Sequence, residues 1–145
     1  MTTETPARVT PPDLILATRL MLAGPDGTGR RWRKDHYATA DWGCVVPPTD
    51  QSACRWCGVG AFAAICGADE PYKVNETGKN ALACLKSAVI EITGWRHDEY
   101  DIPYAFLVAY NDRFDTTWAD MDALFRRAEE IALGITWPAE EVEHE

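Results

Sequence analysis

A chain of 145 residues is long enough for one domain that buries about 68–70% of its unfolded surface. Its hydrophobic content of 46% fits a globular protein with a sizeable core and argues against wholesale disorder. The formal net charge of −9 counts against a general nucleic-acid binder, which needs a basic surface to neutralise phosphates.

Residues 1–9 are polar and contain Pro6, so a flexible N-terminus is expected, without the basic start and apolar core of a secretory signal. Thr10-Pro11-Pro12-Asp13 opens a first helix: Thr10 can cap, Pro11 needs no N–H there, and Asp13 meets the positive end of the dipole. Gly24-Pro25-Asp26-Gly27 ends it. Residues 25–49 form one long irregular segment. His36–Thr39 and Trp42–Val46 within it have room for a short β-hairpin.

Thr49 or Asp50 is expected to cap a second helix that runs through the cysteines to about Gly67. Asn75 or Thr77 starts a third, with Leu82, Leu85, Val89 and Ile92 on one face and Gly94 as its stop. Residues 104–110 are apolar and short. Pro103 in front of them and their Ala and Leu content favour helix over strand. Asp115 or Thr116 caps a last helix, with Trp118, Met121, Leu124, Phe125, Ala128 and Ile131 on its apolar face. The expected fold is mainly α: four to five helices in a compact bundle spanning residues 10–136, then an acidic tail at 137–145.

No apolar stretch reaches the roughly 20 residues that span a bilayer, so no membrane partner and a cytoplasmic location are expected. Five cysteines, an odd number, fit reduced thiols better than a disulfide framework. Three of them fall in Cys54-Arg55-Trp56-Cys57 and the run up to Cys66, which makes this the most informative stretch of the chain.

That stretch has three readings. Cys54 and Cys57, with Cys44 and His36, could form a tetrahedral zinc site, although no second Cys-x-x-Cys pair is present. Cys57 could be a catalytic nucleophile if it stood at a helix start, with His36 or His97 as base and Asn111 or Asp112 as orienting group. Capping at Thr49 or Asp50 would instead bury Cys57 two turns inside the helix. The third reading is packing: Gly58 and Gly60 each cost about 1 kcal/mol in a helix, and close approach of a neighbour is the usual offset. Packing is the preferred reading, and no cofactor is expected.

Arg30-Arg31-Trp32-Arg33-Lys34 is the basic patch of an acidic chain. Arg31, Trp32 and Arg33, with Trp42 and Trp56, are the candidate binding residues, Trp32 offering a stacking face. Pairing of the patch with the chain's own acidic surface, for example Glu140, Glu141 and Glu143 of the tail, is the preferred reading. Asn111-Asp112 precedes the last helix and suits a turn.

Arg55-Trp56-Cys57-x-x-Gly60-Ala61, followed far downstream by Asn111-Asp112 before a terminal amphipathic helix, resembles a family of small uncharacterised bacterial and phage proteins. The resemblance covers roughly residues 10–133 and implies a helical fold and a phage-related context, without an assigned activity. Its pattern touches Trp56, Cys57, Gly60, Ala61, Asn111 and Asp112 but not Cys44, Cys54, Cys66 or Cys84, which counts against zinc. The expected function is thus a small soluble interaction module that binds or regulates another protein, ahead of a cysteine-dependent hydrolase or transferase and of a zinc domain.

Overall fold

The computed structural model of the protein describes residues 9–96 and 102–137. Apart from Val9 and Trp137, the expected flexible start and acidic tail lie outside these residues, as does His97. At Thr10 the backbone is extended, and its N–H and hydroxyl both donate to the Asp13 carboxylate at 2.8 Å. Helix α1 (Pro11–Ala23) follows and stops at Gly24, whose φ of 76° an L side chain rarely adopts.

Two short strands, β1 (Ala38–Ala40) and β2 (Ala53–Trp56), pair antiparallel with Ala38 opposite Trp56. Helix α2 (Gly58–Ile65) leaves directly from β2, and a 3-10 turn (Pro71–Lys73) leads on to α3 (Glu76–Thr93). Asn75 caps α3 by accepting from the Gly78 N–H, and left-handed Gly94 ends it. Helices α4 (Pro103–Asn111) and α5 (Trp118–Leu133) complete the described chain.

Helix α5 packs against α1 and α3, while α4 lies on α3 and α2, and α1 also meets α2. The shared core holds Phe62, Phe106, Phe125, Ile15, Leu85 and Leu124, all excluded from solvent. Each such side chain contributes about 1.5–3 kcal/mol on leaving water. The fold is mainly α, with five helices among the described residues and one short antiparallel pair. None of those helices is long and apolar enough to cross a membrane.

Expectation and structure part at the second helix. No helix starts at Thr49 or Asp50. Asp50 Oδ1 instead accepts from the N–H and hydroxyl of Ser52, closing a turn. The residues after it are drawn into a ladder: Trp56 N–H donates to Arg31 O at 2.8 Å and Arg33 N–H to Trp56 O at 2.9 Å. Cross-chain hydrogen bonds thus outweigh the local capping signal, and Cys57 becomes the N-cap of α2 rather than an interior residue.

The hairpin expected in 25–49 survives as one antiparallel bridge, Thr39 to Val45, while the full partner of β1 is β2, beyond Pro48. The cap of α5 lies one residue later than expected. Thr117 and Asp120 form the capping box, and Thr116 instead donates its hydroxyl to Tyr110 O.

Candidate functional site

Residues 31–37 have no regular structure of their own, and their backbone polar groups are held by three other elements. From β2, Trp56 bonds Arg31 and Arg33, as above. At the start of α2, the Cys57 N–H donates to Tyr37 O at 3.3 Å. Gly60 allows this approach, because a Cβ there would stand 1.9 Å from Tyr37 O.

The third hold comes from the end of α4. Asn111 is fully buried, and its Oδ1 accepts from Trp32 Nε1 at 2.6 Å and from the Gly58 N–H at 2.9 Å. Its Nδ2 donates to Arg33 O at 3.1 Å and to Asp112 Oδ1 at 2.9 Å. Asp112 Oδ1 also accepts from the Asp35 N–H at 3.0 Å, and Asp35 has a φ of 73°. Asp35 is the one non-glycine with positive φ among the described residues. An aspartate tolerates that conformation better than most residues do. Asn111 ends α4 and Asp112 is its C-cap, so the pair does mark the end of that helix, although neither residue is left-handed. Asn111 is in addition a buried hydrogen-bonding hub.

Trp56, Cys57, Gly60, Asn111 and Asp112, far apart in the chain, therefore converge on one clamp around residues 31–37. Cys57 is 4% exposed and its Sγ accepts the Gly60 N–H at 3.2 Å. Burial pushes its thiol up to about 12, and the nearby Asp112 charge acts in the same direction. The Gly60 N–H pulls the other way without prevailing. A helix N-cap favours a thiolate only when the sulfur stays hydrated enough to ionise. At pH 7 the Cys57 thiol therefore keeps its proton. This arrangement opposes the nucleophile reading. His36 lies exposed on the surface, so the base expected for it does not share the buried site.

The other candidates separate in the same way. Cys44 is exposed, and Cys54 is half-buried with its thiol toward Thr39 O at 3.5 Å. No group of three or more His, Cys, Asp or Glu side chains fit to hold a metal occurs among the described residues. Cys44, Cys54, Cys57 and His36 are thus not gathered for zinc. In the basic patch, Arg33 donates to Thr39 Oγ1 at 2.9 Å and to Lys34 O at 2.8 Å, and Lys34 donates to Arg113 O. Trp32 and Trp56 are part of the clamp, which leaves Arg31 and Trp42 as the exposed members of the candidate set. Trp95 packs edge-on to Tyr110, with ring centroids 6.5 Å apart.

What the clamp presents is a groove of about 800 Å³. Asp35, His36 and Tyr37 form one side and Val45 to Pro48 another. Asp69, Glu70 and Lys73, around the 3-10 turn, close it. Glu70 accepts from the Tyr72 hydroxyl and pairs with Lys73 at 3.2 Å, and both contacts hold its carboxyl below the usual range. Burial raises the Tyr37 phenol, which therefore stays neutral and able to donate. Sequence reasoning missed Asp69, Glu70 and Lys73 because no spacing links three short segments that meet only in space. The Pro47-Pro48 and Glu70-Pro71 turns were the faint signal.

The family model described as "Family of unknown function (DUF6197)" matches residues 6–131. The chain belongs to this family. The match contains every clamp residue and the whole groove wall. No curated protein and no solved structure matches the chain.

Proposed function

We propose that this member of the family is a soluble, cytoplasmic binding module that uses the groove over residues 35–37 and 45–48 to capture a macromolecular partner. One observation carries the reading. Trp56, Cys57, Gly60, Asn111 and Asp112 use their polar groups and small volumes to fix the backbone of 31–37. The open, chemically mixed surface that results is this groove. Binding sites are concave and largely pre-formed, with a few placed polar groups among apolar ones. The nucleophile reading has the burial of Cys57 against it.

Panning a random linear peptide library against the wild-type protein and against Val45→Asn tests this. Val45 is 57% exposed, so the variant should fold with an unchanged melting temperature. The expected result is enrichment of related sequences by the wild type and loss of that enrichment in Val45→Asn. A library that yields nothing, or identical enrichment on both proteins, overturns the reading.

A further inference from the structure

We infer that the groove takes an extended segment of another polypeptide that carries basic side chains between aliphatic ones. This rests on the reading of the groove as the binding site and adds the chemistry of the occupant.

Charge comes first. The groove holds three carboxylates, Asp35, Asp69 and Glu70, against one ammonium, Lys73. Lys73 is engaged by Glu70, which also takes the Tyr72 hydroxyl. Asp69 accepts from the Thr49 hydroxyl through Oδ1, and its second oxygen bonds no described residue. The Asp35 carboxylate likewise bonds no described residue, while its backbone is fixed by Asp112. The groove lining thus carries two more carboxylates than ammonium groups on a chain of net charge −9. Cationic groups are attracted there, and phosphates or acidic peptides are repelled.

The walls narrow the class of cation. Val45, Val46 and Pro47 give an apolar side, to which a small polyamine offers little area. The backbone of Val45 also faces outward. Val46 N–H donates to Ala38 O and Ala40 N–H to Cys44 O, which makes Thr39 and Val45 the non-hydrogen-bonded pair of their bridge. The N–H and C=O of Val45 therefore point away from β1, and its N–H donates to no described residue. Pro47, two residues on and lacking an N–H, ends the edge. A single rung of strand edge beside an apolar wall and a surplus of carboxylates suits an extended peptide: main-chain bonds at the rung, aliphatic side chains on the wall, a Lys or Arg at Asp35 and Asp69.

Fluorescence anisotropy with three labelled peptides alternating Val with Lys, Val with Ser and Val with Glu tests the inference, with spermine as competitor. The Val-Lys peptide should bind at least tenfold tighter than the other two and weaken with added salt. The double variant Asp35→Asn/Asp69→Asn keeps the left-handed residue and the Thr49 acceptor, and should bind that peptide at least tenfold more weakly. Equal binding of the three peptides, unchanged affinity in the double variant, or spermine binding as tightly as the peptide overturns the inference. Val45→Asn separates the two levels. If it abolishes peptide binding while the double variant does not, the groove stands and the basic occupant falls. If it leaves peptide binding intact, the groove itself falls.

Discussion

Asn111 joins four polar groups through one fully buried amide. Replacing it with alanine strands the Trp32 indole N–H, the Gly58 N–H and Arg33 O. A buried polar group left without its partner costs about 1–3 kcal/mol. Asn111→Ala should therefore lose about 3 kcal/mol or more in urea denaturation, and a loss under 1 kcal/mol would show that the hub carries little stability. Cys57 gives a prediction in pH. The folded thiol keeps its proton to about 12, whereas an ordinary cysteine loses it near 9. Between these values the unfolded chain binds fewer protons, so stability falls as pH rises, by up to about 1.4 kcal/mol per pH unit from this group. Cys66, raised by burial to about 11, adds to the same alkaline loss. Denaturation from pH 8 to 10.5 should show this slope, and Cys57→Ser, which keeps an acceptor for the Gly60 N–H, should flatten it. Equal slopes in the two proteins would remove Cys57 as the cause.

At the scale of elements, α2 is short and rich in small residues because two neighbours approach it closely. A Cβ at Gly58 would come within 2.9 Å of the Met121 methyl, and one at Gly60 would collide with the Tyr37 carbonyl. A side-chain methyl can shift, but a backbone carbonyl held by the Cys57 N–H cannot. Gly60→Ala should thus destabilise by about 3 kcal/mol or more. Gly134, at φ −78° with nothing nearer than 3.4 Å to an added Cβ, is the control. There the same change should leave stability equal or raise it by up to about 1 kcal/mol. Thermal melts of the two variants decide it, and equal melting temperatures would refute the close-approach argument. The packing expectation for the glycines thus has a physical counterpart, with one difference: the neighbour of Gly60 is the backbone before β1, not another helix.

The clamp ties the small sheet to the helices, because Asn111 at the end of α4 bonds both the segment before β1 and the start of α2, and the two should therefore unfold together. Thermal unfolding followed by Trp fluorescence, which includes Trp32 and Trp56, should coincide with far-UV circular dichroism of the helices. Two separated midpoints would mean that the sheet detaches first. Several elements were legible along the chain itself. Thr10 with Asp13, Asn75, Gly94 and Pro103 mark real helix boundaries, and the apolar spacing predicts the buried faces of α5 and of α3 up to Val89, whereas Ile92, expected on the same face, is 45% exposed near the end of α3. Those signals are local: a cap or a 3.6-residue period acts within a few residues of chain. Cys57 shows where such reasoning stops. Asp50 is a good cap on its own, yet the register of Trp56 against Arg31 and Arg33 moved the helix start to Cys57, and burial then withheld the ionisation a helix start would favour. The caps of α1 and α3, the helical periodicity and a mainly helical architecture were determined by the sequence alone. The meeting of Asn111 with Trp32, Gly58 and Arg33, across 53 to 79 residues of chain, and of Asp35 with Asp69 and Val45 in one groove, was decided only by the tertiary structure, because contacts between separate segments leave no local pattern.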